Sequence, residues 1–152
     1  MQPRLNYGKA APEGRAALLG VEAYLDACGL EASLRELIKV RVSQINGCAY
    51  CIDLHCRDAR AAGETEQRLY ALNAWRETPF FTPREQAALA WAEALTRLGP
   101  DHVPDAVFDA VRARFDDKEL ADLTIAVAMI NAWNRIGVGF RLVPGANRAK
   151  KD

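Results

Sequence analysis

The sequence lacks the features that mark nucleic-acid-binding and membrane proteins. Twenty lysine and arginine residues balance 20 aspartate and glutamate residues, so the formal net charge is zero and no basic surface is indicated. No apolar run approaches the roughly 20 residues of a membrane span. The first residues, Met-Gln-Pro-Arg-Leu-Asn-Tyr, lack the apolar core of a signal peptide. We therefore expect a cytoplasmic protein without nucleic-acid or membrane partners.

Strict alternation of apolar and polar residues, which is typical of strands, is also missing. Apolar residues instead recur at helical spacing between glycine, proline and capping residues. This pattern predicts an all-α protein, a compact bundle of about six to seven helices. With 152 residues, half of them hydrophobic, the chain suits a single domain over 1–152. We expect its core at about 31–140, after an irregular lead-in at 1–11 and before a solvated tail at 145–152.

Seven helical segments follow from these start and stop signals. They run from Pro12 to Gly29, from the capping-box pattern Ser33–Glu36 to Asn46, from Cys48 to Gly63, from Thr65 to Trp75, from the capping box at Thr82 to Gly99, from Pro104 to Phe115, and from the cap at Asp116 to about Gly137.

The last helix is unusually apolar. Residues 125–130 (Ile-Ala-Val-Ala-Met-Ile) are apolar nearly all round, as in a helix that is buried centrally or lies in a subunit interface. One small core cannot hide this much apolar surface, so we predict a homo-oligomer. Asn131, Asn134 and Arg135 interrupt the helix. They either cap a buried interface or bind a carboxylate.

Cysteine and histidine are scarce, yet three of four cysteines and one of two histidines fall between Asn46 and Cys56. The core of this stretch is Cys48-x-x-Cys51-x-x-x-His55. Because Asn46-Gly47 breaks the preceding helix, Cys48 should begin a new one, where unpaired N–H groups and the helix dipole favour thiolate. A helical wheel places Cys48, Cys51 and His55 on the apolar side, opposite Asp53, Arg57 and Arg60.

Two kinds of chemistry suit this stretch. Zinc would take Cys48, Cys51 and His55, with Cys56 or His102 as a distant fourth ligand, but a second cysteine pair is missing. Redox chemistry fits better, because a thiolate that attacks a peroxide becomes sulfenic acid and a nearby thiol then condenses with it to a disulfide. His55, one turn from Cys51, can act as the base. We therefore expect neither a metal nor a cofactor.

Glu36, twelve residues before Cys48, completes a pattern that resembles the alkylhydroperoxidase D-like proteins of the carboxymuconolactone decarboxylase superfamily. The resemblance covers most of the chain from about Glu31 and includes Ile130-Asn131-Ala132-Trp133-Asn134-Arg135. It implies an all-helical trimer or hexamer with thiol peroxidase activity and a role in antioxidant defence. The partners it implies are a small-molecule hydroperoxide and a lipoyl- or thioredoxin-like dithiol reductant.

The resemblance also implies roles for individual residues. Cys51 is the sulfenic acid position, and Cys48 is the proton donor and resolving thiol that exchanges with the reductant. Glu36 and His55 form the proton relay. Tyr50 departs from the family pattern, because the best-studied members carry a second histidine there. A phenol can hydrogen-bond but is a poor base near neutral pH, so either the relay is shortened or the substrate differs.

Structural readings compete with these roles. From the sequence alone, Glu36 reads as the last residue of a capping box, and a lone His55 reads as a core histidine. Cys28 and Cys56 are expected to be small packed residues, and Trp75, Trp91 and Trp133 core or interface aromatics. Two further functions remain open, a non-redox enzyme such as a lactone decarboxylase and a non-catalytic binding member of the fold.

Overall fold

The computed structural model describes residues 1–100 and 102–145, and within these ranges the chain is helical, without a strand. This confirms the predicted all-α fold. Of the tail expected at 145–152, residues 146–152 lie outside the described ranges. The elements in chain order are α1 (Tyr7–Ala10), α2 (Pro12–Ala27), α3 (Ala32–Asn46), α4 (Ala49–Ala61), α5 (Glu66–Ala71), a 3₁₀ helix (Leu72–Glu77), α6 (Pro83–Thr96), α7 (Asp105–Arg112) and α8 (Asp117–Gly139).

Helix α3 lies at the centre of the bundle and packs against α4, α6 and α8. Its apolar residues Leu37, Ile38, Val40 and Val42 are fully buried. Because neighbours surround it, even charged residues of α3 such as Lys39 are buried. Such groups need partners in place of water. The polar side of α3 therefore contributes to internal networks rather than to the surface.

The capping box predicted at the start of α3 is wrong. The helix begins at Ala32 with Glu31 as its N-cap, and that cap makes no side-chain hydrogen bond. Ser33 is consequently inside the first turn, and Glu36 falls in the second turn, too late to reach back to the cap. The capping box predicted at Thr82 is present, and the cap predicted at Asp116 also forms a capping box, each with its glutamate three residues on.

Two other segments differ from expectation. Residues 1–11 are not wholly irregular, because Asn6 caps the short helix α1 through a hydrogen bond from the Lys9 amide, 3.1 Å long. The helix expected from Thr65 to Trp75 starts as predicted, with Thr65 as cap. It then tightens into the 3₁₀ helix, where Ala74 leaves helical backbone geometry.

Helix α8 is buried on most sides but not all. Leu123, Val127 and Ile130 are almost inaccessible, whereas the Ile125 residue is 37% exposed. Ile125 lies in an open apolar groove, a surface lined by Trp91, Phe108, Arg112, Asp117, Leu120, Ala121, Thr124 and Ile125. No helix within the described ranges is long and apolar enough to cross a bilayer.

Among the described residues, the asparagines of α8 bond to amide, hydroxyl and backbone groups and not to a carboxylate, and their capping of a subunit interface stays a prediction. The Asn46 amide donates to both Asn131 and Asn134, each at 2.9 Å. Asn134 in turn donates to the Ser43 hydroxyl, and Asn131 to Thr96. These bonds satisfy buried polar groups between α3, α6 and α8. They also fix the register of α8 against the end of α3, next to the cysteine pair.

Candidate active site

The cysteine pair lies at the start of α4, where the sequence placed it. Gly47 ends α3 with a left-handed backbone (φ 66°), a conformation that favours glycine, and the chain turns directly into α4. Cys48 is the N-cap of α4, and its sulfur accepts the Cys51 amide N–H at 3.3 Å. Cys48 and Cys51 are joined by a disulfide, with their Cα atoms 5.3 Å apart. The thiol positions therefore combine a redox pair with the positive end of a helix.

Glu36 meets His55 across the contact between α3 and α4. The Oε2 atom of Glu36 lies 2.9 Å from Nδ1 of His55, and both side chains are mostly buried. Burial would raise the pKa of the Glu36 carboxyl, but the hydrogen bond and charge of His55, together with Lys39, outweigh it and hold this pKa below its ordinary value. An ionised carboxylate only accepts, so the neutral His55 ring carries its proton on Nδ1. This leaves Nε2 as a base.

Lys39 and Glu22 extend this contact into a network that the sequence reasoning missed. The Lys39 ammonium lies 3.4 Å from Oε1 of Glu36 and 3.2 Å from Oε2 of Glu22. The other oxygen of Glu22 accepts the Trp133 indole N–H at 2.8 Å. The ion pair between Glu36 and Lys39 could have been predicted, because residues three apart on a helix are neighbours. Glu22 gave no local signal, because its partners come from α3 and α8.

A cavity of about 550 Å³ opens beside the pair. Cys51 and His55 lie in its wall together with Tyr50, so one turn of α4 brings the sulfur, the imidazole and the phenol to one space. The full lining is Pro3, Asn6, Tyr7, Gly8, Arg15, Leu19, Glu22, Tyr50, Cys51, Leu54, His55, Trp133, Leu142 and Val143. Its volume suits a small organic molecule, and most of the lining is apolar or aromatic.

The tryptophans divide between core and cavity. Trp75 and Trp91 are buried core residues, as expected. Trp133 packs against the core too, but it also lines the cavity, and Tyr7 packs edge-on against it with ring centroids 6.5 Å apart. Tyr7 also stacks on Phe140. Aromatic rings from both ends of the described chain thus form one side of the cavity. No local sequence pattern predicts this placement.

The backbone of helix α8 lies so close to the disulfide at Gly137 that a side chain at this position would collide with the sulfurs. A Cβ atom added at Gly137 would lie 2.8 Å from the Cys48 sulfur and 3.4 Å from the Cys51 sulfur. Ordinary carbon contacts are about 3.5–4.0 Å. Gly137 is therefore required by packing rather than by backbone freedom, and the α8 backbone covers the Cys48 side of the pair.

The remaining cysteines have surroundings unlike the pair. Cys28 donates its thiol hydrogen to the Leu25 carbonyl at 3.1 Å. Cys56 is partly buried against the core, and this burial raises the pKa of its thiol. A raised pKa leaves less thiolate at neutral pH. Both residues therefore fit the packing role expected for them.

A metal site is not needed to explain the polar cluster. Glu36, His55 and Asp58 place possible ligand atoms within 4.8 Å of one another. However, Nδ1 of His55 already bonds Glu36, and Asp58 is well exposed beside Arg57. The thiol ligands considered from the sequence, Cys48 and Cys51, are bonded to each other in this form.

Comparisons with known proteins agree on the family and the fold. The model of the carboxymuconolactone decarboxylase family matches residues 10–94. The uncharacterized protein YdfG of Bacillus subtilis is 45% identical over 138 residues, covering 91% of this chain and 94% of that protein.

Solved structures extend the comparison. A protein of unknown function from Agrobacterium tumefaciens, described as a candidate antioxidant defence protein AhpD, superposes with a TM-score of 0.91 at 43% identity. That match covers 94% of this chain and 98% of the other. The debrominase Bmp8 has a TM-score of 0.81 at 22% identity, covering 91% and 74% of the two chains, and this likeness concerns the fold alone.

Proposed function

Because the chain belongs to the carboxymuconolactone decarboxylase family, as its resemblance to the alkylhydroperoxidase D-like proteins predicted, we propose that it is a thiol-dependent reductase of organic hydroperoxides. One observation carries the proposal. Cys51 is paired with Cys48 at a helix start, lines a cavity, and lies one turn before a histidine that a buried carboxylate orients. The Agrobacterium relative's description as a candidate antioxidant defence protein supports it.

In the proposed reaction, Nε2 of His55 takes the proton of the Cys51 thiol. The Cys51 thiolate then attacks the terminal peroxide oxygen, the O–O bond breaks, and the alkoxide leaves as the alcohol with the proton held by His55. Cys51 is now a sulfenic acid. The Cys48 sulfur attacks it, releasing water and forming the disulfide. Peroxide gains two electrons and the two thiols lose them. Glu36 orients the ring and stabilises its charged form.

A dithiol returns the enzyme to its reduced state in this scheme. The partners we propose are a small-molecule hydroperoxide and a lipoyl- or thioredoxin-like reductant, with the protein acting as a homo-oligomer in the cytoplasm. The apolar groove on α8, α6 and α7 supports the oligomer, because it leaves Phe108 and Ile125 exposed.

The decisive experiment measures peroxide consumption with a dithiol reductant. Cys51→Ser should abolish turnover, and Cys48→Ser should stop after one turnover with sulfenic acid on Cys51. Glu36→Gln should slow the reaction without stopping it, within the about 10²–10⁴-fold that auxiliary proton-transfer groups contribute, since it orients the base without attacking. Cys56→Ser is the matched control, because a packed thiol with a raised pKa should not contribute.

Two results would overturn the proposal. One is wild-type protein that leaves peroxide untouched with several dithiols. The other is peroxide-treated protein in which Cys48 and Cys51 stay reduced while Cys28 or Cys56 is oxidised. The second candidate, a non-redox decarboxylase, follows from the name of the family. The activity of such an enzyme would not change in Cys48→Ser or in Cys51→Ser.

A further inference from the structure

Of the two cysteines in the disulfide, Cys51 lines the cavity formed by the described residues and Cys48 does not. We propose that the dithiol reductant enters through the same cavity as the peroxide and attacks the sulfur of Cys51, with Cys48 as the leaving group. This inference rests on the proposed function and assigns both half-reactions to Cys51. It reverses the role implied by the family resemblance, in which Cys48 exchanges with the reductant.

Access to the sulfurs supports Cys51. Thiol–disulfide exchange requires the attacking sulfur to touch the sulfur that it attacks. Cys51 belongs to the cavity wall, whereas Cys48 does not line the cavity as the described residues form it. Both cysteines are buried, Cys48 at 1% and Cys51 at 3% exposed, but the α8 backbone at Gly137 lies nearer to Cys48, since a Cβ atom there would be 2.8 Å from its sulfur and 3.4 Å from that of Cys51. A reductant arriving through the cavity therefore meets Cys51 first.

The electrostatics of the helix start supports Cys48 as the leaving group. Its sulfur accepts the Cys51 amide N–H at 3.3 Å and lies at the positive end of α4. Both effects stabilise a thiolate formed at Cys48. Exchange is faster when the departing thiol has a lower pKa. The residue that is hardest to reach is thus the one best placed to carry the charge released by the attack.

The proposed reductive half-reaction has two steps. A thiolate of the dithiol attacks Sγ of Cys51, forming a mixed disulfide as the Cys51–Cys48 bond breaks and Cys48 leaves as a thiolate. The second thiol of the reductant, deprotonated by Nε2 of His55, then attacks the reductant's own sulfur in the mixed disulfide. Cys51 is released as a thiolate and the reductant becomes a disulfide. Two electrons pass from the dithiol to the protein.

A kinetic consequence follows from the shared cavity. The peroxide and the dithiol cannot both contact Cys51, so they must bind in turn and exclude each other. We expect ping-pong kinetics, with each substrate inhibiting at high concentration by occupying the form of the enzyme that the other requires.

The first experiment traps the mixed disulfide in the native, oxidised protein. A monothiol, 2-mercaptoethanol, is added briefly, the reaction is quenched in acid, and free thiols are alkylated before tandem mass spectrometry. We expect the 2-mercaptoethanol adduct on Cys51 and the alkyl group on Cys48. An adduct mainly on Cys48 would overturn the proposal. Because no peroxide is used, this result is independent of whether the protein reduces peroxides.

A second experiment compares single thiols in a Cys28→Ser, Cys56→Ser background. Reaction with 4,4′-dithiodipyridine should be at least about tenfold faster for Cys51 in Cys48→Ser than for Cys48 in Cys51→Ser. In denaturant the two thiols should react alike, which corrects for any difference unrelated to the fold. Faster native reaction of Cys48 would refute the access argument. Loss of peroxide turnover in the parent protein would instead count against the proposed function.

Discussion

Gly137 offers the sharpest test of how α8 meets the disulfide. Gly137→Ala adds one carbon where the structure leaves room for none, 2.8 Å from one sulfur and 3.4 Å from the other. Overpacking of a core by a methyl group costs about 1–3 kcal/mol. Alanine recovers up to roughly 1 kcal/mol of helix propensity relative to glycine. We therefore expect a net loss of about 1–2 kcal/mol in the free energy of unfolding.

Thermal unfolding gives the measurement. For a chain of this length, about 2–4 °C of melting temperature corresponds to 1 kcal/mol, so the oxidised Gly137→Ala protein should melt about 2–8 °C lower. Gly139→Ala is the matched control on the same helix, because a Cβ there meets nothing within 4 Å. It should be neutral or slightly stabilising. The packing argument is refuted if Gly137→Ala is as stable as Gly139→Ala.

Three further predictions concern the network, the cavity and the groove. Lys39→Met should lower the free energy of unfolding by about 2 kcal/mol at neutral pH, because it removes the cation shared by two largely buried carboxylates, which keep only their bonds to His55 and Trp133. The pKa of the Glu36 carboxyl is lower in the folded protein than in the unfolded chain. Its ion pairs therefore stabilise the fold fully at pH values above the unfolded-state pKa, and this stabilisation is lost as the pH falls through the folded-state pKa. The deficit of Lys39→Met should therefore shrink in acid, and a pH-independent deficit in denaturant titrations would contradict this assignment. Tyr50→His should increase peroxide turnover if the family's second histidine can act in this cavity, and unchanged or reduced turnover in the steady-state assay would show a differently tuned site. Light scattering should give an oligomer at micromolar concentration, and Ile125→Glu should dissociate it. A wild-type protein that is monomeric would show that the groove is not a subunit interface.

The sequence predicted the parts of the site that lie within one helix. Cys48, Cys51 and His55 could be placed because helix spacing and a Gly47 stop determine which residues share a face. Glu36 could not be placed by local rules, which favoured a cap. Its true partner lies 19 residues away on another helix, and only the family resemblance indicated it.

Other features depend on packing between distant segments. Glu22, Lys39 and Trp133 become one network only when α2, α3 and α8 are assembled. The need for glycine at Gly137 arises from a helix–helix distance that no spacing in the sequence records. Trp133 packs against the core as expected, but its place in the cavity wall was not predicted, because apolar periodicity cannot distinguish a buried face from a cavity wall.

The cavity is built from two halves with different freedom to change. One half carries Cys51 and His55 on α4. Cys51 is itself a core residue, and α4 packs against the central helix α3. Much of the cavity's other half comes from residues 3–22, none of which is fully buried. Apart from Glu22, which pairs with Lys39, and Tyr7, which packs on Trp133, substitutions in that segment alter the shape of the cavity at little cost in core packing. Under the proposed function, this segment determines which hydroperoxides fit the cavity, and it can be redesigned without changing the residues around the disulfide.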